Sequence, residues 1–243
     1  MSIRKMWLPT ATVIFFVSVS CNASAYDVVE VTDGGTITGK ISATGPLPVS
    51  ANIAITKDEE HCGNSVVPDY LLVDAQGGPK NAVVRLQNVT AGKAYDKKQV
   101  HNFNNIDCMF KPHVVAAVKG QLLGINNADP ILHNTHLYQG RNNRTLYNIA
   151  LPLQNKVIKK LLRRTGKVTV KCDAHEWMLG YVYVSDNPYI TVTAEDGSFS
   201  IGDVPPGTYS LHIWHEVLGE VVTEITVAAG QEATVQHSFS GTS

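Results

Sequence analysis

Residues 171–178, Lys-Cys-Asp-Ala-His-Glu-Trp-Met, set a thiol, an imidazole and a thioether at C-x2-H-x2-M spacing. The run lies between two alternating segments, 167–171 and 179–184, and reads as the short loop of a β-hairpin. Val168, Val170 and Cys172 share one parity, so a period-two strand turns all three toward the same face. Cys172 then hangs at the inner end of a strand, with His175 and Met178 within one turn's reach. Soft sulfur donors select copper over harder ions, and a trigonal His2Cys plane with a weak axial Met is an electron-transfer geometry. Met178 argues against zinc, which seldom takes a thioether. One histidine is missing from the set and has to arrive from another part of a β-sandwich.

The upstream candidate is His133, in Asn126-Asn127-Ala128-Asp129-Pro130-Ile131-Leu132-His133-Asn134, a turn-rich segment after the alternating stretch 114–125. With Phe110-Lys111-Pro112 and Lys119-Gly120, it resembles the first half of a plastocyanin-type cupredoxin. The loop from Cys172 to Met178 is similar in spacing to the amicyanins, with Glu176-Trp177 replacing their usual residues. The resemblance implies an all-β, Greek-key sandwich with one type 1 copper held by His133, Cys172, His175 and Met178. It implies that Asn134 ties the two ligand loops together by hydrogen bonds, and that the ring edge of His175 is the electron port. Trp177 is expected to supply an apolar docking contact for a redox partner protein in a weak, transient encounter. The bland alternative makes His133 and His175 ordinary polar loop residues. His113 and His136 are read as ordinary polar positions, His136 facing away from the copper.

Residues 1–25 have a basic start (Arg4, Lys5), an apolar stretch and an Ala23-Ser24-Ala25 ending, the pattern of a secretory signal peptide. Cys21 after Ser18-Val19-Ser20 faintly resembles a lipoprotein processing site, but Ser18 stands where a large aliphatic residue is usual. Soluble export, to the periplasm or outside the cell, is therefore preferred to a lipid anchor at Cys21. The mature chain keeps Cys62, Cys108 and Cys172. In an oxidising compartment a Cys62–Cys108 disulfide ranks first, leaving Cys172 as the metal ligand. Unpaired buried thiols, or a second metal site at Cys108 and His113, are the alternatives. No other apolar run is long enough to span a bilayer.

With 44% hydrophobic and 17% charged residues in 243, the chain has the composition of a globular protein with room for two modest domains. Nothing in its net charge of −1 suggests a nucleic-acid binder. A local basic segment, 156–167, carries Lys156, Lys159, Lys160, Arg163, Arg164 and Lys167 and reads as a solvated loop or short helix in preference to a docking surface.

Residues 189–239 form a second strand-and-turn series punctuated by Asp196-Gly197 and Pro205-Pro206-Gly207. The phrase DGSFSIGDVPPGTYSLHIWH resembles the carboxypeptidase regulatory-like domain, a small transthyretin-type β-sandwich. The opening strands of that family match residues 36–41 and 81–86 instead. The expected layout is a signal peptide at 1–25, a regulatory-like sandwich from 26–97 plus 188–243, and a cupredoxin at 98–187 inserted in it. The rival is a serial arrangement, disfavoured because 26–97 alone has too few strands to bury a core. Residues 57–65, with Asp58, Glu59, Glu60 and His61, read as a solvated loop without chemistry. His212, Trp214, His215 and Glu216 read as structural, Trp214 on the core face with His212 beside it; a surface metal at His215 and Glu216 is the lesser reading.

Two other classes compete with an electron carrier: a copper-delivery protein, and an interaction module with a non-redox cupredoxin. An enzyme is the weakest reading, since no nucleophile-base pair, phosphate loop or catalytic carboxylate pair stands out. The two-part layout also resembles proteins labelled methylamine utilisation proteins.

Overall fold

The computed structural model describes residues 26–140 and 142–241; the signal-peptide and Cys21 readings lie outside the described residues. The chain is an all-β protein of paired sheets, and its one helix among the described residues is the single turn Glu59–Cys62. None of its described helices is long and apolar enough to cross a membrane.

Two sheets face each other across the first core. One orders Ile158–Leu161, Leu122–Asn127, Val100–Ile106 and Met109–Lys111; the other orders Arg144–Leu151, His133–Gln139, Gly166–Lys171, Leu179–Ser185 and Val114–Val118. Each contains one parallel pair, Leu122–Asn127 with Val100–Ile106 and Leu179–Ser185 with Val114–Val118. Inward residues such as Phe103, Leu123, Ile125, Leu137, Val168 and Val182 are fully buried between them. Val168, Val170 and Cys172 all point inward, as their shared parity requires. The stretch 114–125 is cut by a turn at Lys119 and Gly120, so its two halves enter opposite sheets. The basic segment 156–167 contains the strand Ile158–Leu161 instead of a helix or plain loop, because Ile158 and Leu161 gain an antiparallel partner in Leu122–Asn127.

The second core lies between the sheet Ile190–Val192, Val83–Gln87, Gly207–His215, Gly219–Val227 and the sheet Ser198–Val204, Gly35–Thr44, Glu232–Ser240. Strands that precede residue 98 thus pair with strands that follow residue 187. Ile37, Ile41, Val84, Leu86, Leu211 and Ile213 fill the interior. The Asp196-Gly197 turn needs its glycine: φ is 78°, and a Cβ there would run into the carbonyl oxygen of Ile41.

A third cluster joins the two sandwiches, formed by Val83, Val114, Tyr183 and Trp214 with Tyr181, Ile190 and Val192 against it. Strand Gly207–His215 is therefore covered on both faces, with residues 211–215 all buried. Trp214 lies on the seam between sandwiches and not in the interior of its own, which corrects its expected place. His215 donates from Nε2 to the Lys80 carbonyl at 3.1 Å, while its Nδ1 accepts from the backbone N–H of Val217. Glu216, buried as well, pairs with His113. A surface metal at His215 and Glu216 is excluded by this burial, and His113 is a member of the seam.

Candidate metal centre

Strand Gly166–Lys171 runs antiparallel to His133–Gln139 with Lys171 opposite His136, which brings Cys172 beside the start of its neighbour. The backbone N–H of Asn134 points at Cys172 Sγ, 3.4 Å away. His175 folds back over the same spot. Cys172 Sγ lies 3.6 Å from His175 Nδ1 and 3.9 Å from His133 Nδ1, and the two Nδ1 atoms are 3.0 Å apart. Both imidazoles are 0% exposed and Cys172 is 2% exposed. Met178, also fully buried, closes the loop by donating its N–H to the His175 carbonyl at 3.0 Å.

The outer nitrogens are held as tightly. His133 Nε2 donates to Asp129 Oδ2 at 2.8 Å, and His175 Nε2 donates to Asp58 Oδ2 at 2.8 Å. Asp129 also accepts the backbone N–H groups of Asp107 and Cys108 at 2.9 and 3.0 Å, and His61 Nε2 stands 3.3 Å away. Burial alone would raise the Asp129 pKa; the donors from Cys108, His133, Asp107 and His61 overcome it and hold the carboxyl below its usual range. Burial pushes His133 below the usual imidazole value against the pull of Asp129. It pushes the Cys172 thiol up, against the N–H groups of Asn134, Ala174 and His175.

A carboxylate can only accept, so each Nε2 carries a hydrogen and each ring turns its Nδ1 toward the centre. The two Nδ1 atoms face each other at 3.0 Å beside a sulfur in a buried pocket. Three ligand atoms this close can converge on a single cation. Two imidazole nitrogens and a sulfur fit a borderline or soft metal ion.

Asn134 bridges the two loops: its Oδ1 accepts the Asp173 N–H at 2.5 Å and its Nδ2 donates to Asp173 at 3.0 Å. His136 points away from the centre and pairs with Asp173 on the outer face. Two expectations fail. The ring edge of His175 is not a surface port, because Asp58 and the segment around it cover it. Trp177 offers no docking face: it is 7% exposed, packs 5.0 Å from the His175 ring and donates its indole N–H to the Cys108 carbonyl at 3.0 Å.

The cover is residues 53–66, read from the sequence as part of the other sandwich and, over 57–65, as a loop without chemistry. Ile53–Ala54 pairs with Ser65–Val66, and the helical turn Glu59–Cys62 lies between them. Ile55 is buried in the first core, with Ile53 and Val66 packed against it. The Cys62–Cys108 disulfide fastens the segment to the turn beside Asp129. Asp58 has φ 54°, a left-handed conformation that aspartate tolerates, and makes no cap bond to the helix, which leaves its carboxylate for His175. The acidic run Asp58-Glu59-Glu60 was the only sequence signal of this role, and it is shared with ordinary solvated loops.

Residues 164–235 match the family model of polysaccharide lyase family 4, domain II. Rhamnogalacturonate lyase A of Emericella nidulans is 34% identical over 70 residues, which are 29% of this chain and 13% of that protein; the chain thus spans a small part of that relative's length. Among solved structures, amicyanin from Paracoccus versutus aligns with 36% of this chain and 82% of its own at 15% identity and a TM-score of 0.33. A purple cupredoxin from Nitrosopumilus maritimus aligns with 35% of this chain and 98% of its own, at 20% identity and a TM-score of 0.30. A copper-containing nitrite reductase from Thermus scotoductus aligns with 38% of this chain and 24% of its own, at 16% identity and a TM-score of 0.31.

Proposed function

We propose that the chain is a type 1 copper protein that carries single electrons, with His133, Cys172, His175 and Met178 as the ligands. The observation that carries this is the convergence of two Nδ1 atoms beside Cys172 Sγ, each ring turned inward by a carboxylate on its Nε2. Copper held there would supply a one-electron couple. The protein's own residues do the rest. Asp129 and Asp58 fix the tautomer and tilt of each imidazole, Asn134 locks the cysteine loop to the upstream turn, and the apolar walls exclude water. We read the protein as a carrier and not an enzyme.

Delivery of copper to another protein is the competing role. It needs ligands that open to a recipient, whereas all four candidate ligands here are sealed. We further read the second sandwich as a regulatory-like module, built from 26–97 plus 188–243 without the cover segment, into which the copper domain at 98–187 is inserted. The export signal at 1–25 and a protein redox partner belong to the same proposal. The test is the visible spectrum of the mature protein with one equivalent of Cu(II), beside Cys172→Ser. An intense thiolate-to-copper band that vanishes in the variant is expected; a colourless protein, or a spectrum indifferent to Cys172, refutes the proposal.

A further inference from the structure

Residues 130–172 contain no aspartate or glutamate and nine of the chain's twenty lysines and arginines. The run carries +9, against −10 for the rest of the sequence. Folding brings five of these charges to two neighbouring strand edges. The run supplies Arg144–Leu151, the edge of the five-stranded sheet, and Ile158–Leu161, the edge of the facing sheet. Arg144, Lys156, Lys159, Arg163 and Arg164 are exposed along these edges. Among the described residues, the ion pairs made by lysine or arginine fall elsewhere, at Lys80, Lys93 and Lys111.

Between the two edge strands lies a cleft of about 160 Å³, with a floor formed by Leu146, Leu161, Leu162, Val168 and Val184. Arg144, Arg163 and Arg164 stand at its rim. Tyr147 crosses between the strands, donating its hydroxyl to the Leu161 carbonyl at 3.0 Å. A cavity of roughly 150 Å³ accepts a benzene ring, so this one takes a single phenylalanine or leucine side chain.

We propose that this face docks an acidic protein partner, which inserts one apolar side chain into the cleft while carboxylates around it pair with the rim arginines. Guanidinium groups match carboxylates two bonds at a time. The unpaired charge extends past the cleft to Lys156 and Lys159, further than a small anion reaches. The apolar element is concave, whereas a lipid surface is met by apolar side chains that protrude. The proposal stands apart from the copper reading.

The probe is a labelled peptide with phenylalanine between two runs of three glutamates, titrated against the full mature chain by fluorescence anisotropy. Binding is expected to weaken at least tenfold when the phenylalanine becomes alanine, when salt is raised, and in the Arg163→Ser/Arg164→Ser variant. Both arginines are exposed, and an unchanged melting temperature confirms that the variant folds. No binding at millimolar peptide, equal binding of the alanine peptide, or binding indifferent to the two arginines overturns the proposal. Phosphatidylglycerol vesicles that bind the chain without competition from the peptide overturn it in favour of a membrane surface.

Discussion

The turn at residues 126–134 and the cover at residues 53–66 do one job at two imidazoles by opposite means. Asp129 sits four positions before His133, with its carboxylate almost wholly buried. Its own N–H is held by Asn127 Oδ1, and Asn127 in turn donates to the carbonyls of Ile131 and Leu151. Asp58 is 117 residues from His175, a third exposed, and reaches it because a disulfide and a few apolar side chains hold its segment down. The near carboxylate is part of the fold around it. The far one is strapped on, which means orientation of a ligand and stability of the protein can be separated at one histidine and not at the other.

The strap is the place to break the comparison hardest. In Cys62→Ser/Cys108→Ser, opening a loop of 46 residues removes about 4 kcal/mol by the chain-entropy estimate. The expected urea midpoint of the metal-free protein falls accordingly. A loss below about 1 kcal/mol would show that Ile53, Ile55 and Val66 hold the cover without the disulfide.

Asp129→Ala comes next. It strips the acceptor from three donors at once, two buried and one half-buried: His133 Nε2 and the backbone N–H of Cys108, and the backbone N–H of Asp107. Leaving such donors unsatisfied costs about 1–3 kcal/mol each, and with water entering at one of them the expected loss is about 3 kcal/mol. Thermal melting of the metal-free variant checks this. An unchanged melting temperature would mean Asp129 serves the imidazole alone, and the contrast with Asp58 would disappear.

The same contrast governs what could be read from sequence. Cys172, His175 and Met178 share one loop, and the strand parity of Val168, Val170 and Cys172 needs only local geometry, so all were legible. The strands on either side of the turns at 196–197 and 205–207 were legible for the same reason, since turn residues such as Gly197 act on their immediate neighbours. Asp129 stood within the quoted turn, yet its bond to His133 depends on side-chain direction that spacing does not reveal. Asp58 was out of reach: an acidic loop looks solvated unless a distant contact covers it. The surface role expected of Trp177 failed in the same way, because its burial depends on the Cys108 turn and on Tyr70, whose hydroxyl meets the Trp177 carbonyl at 3.4 Å.

Asp58→Ala should have the smallest effect on the fold. The carboxylate is partly exposed and water can replace it at His175 Nε2, so the metal-free protein should lose less than about 1 kcal/mol. Copper should respond far more. Without the carboxylate the ring is free to turn its Nδ1 away from His133 and Cys172, and loss of such an outer partner typically weakens metal binding by about 10–100-fold. Competition with a chelator, run beside the melting curve, reads both quantities on one sample. If copper affinity holds while stability drops, Asp58 is a clamp for the cover and the orienting role passes to the packing of Trp177 against the His175 ring. If affinity falls while stability holds, the far carboxylate tunes the site without supporting the fold, and the cover can vary in sequence as long as one acidic side chain still reaches His175.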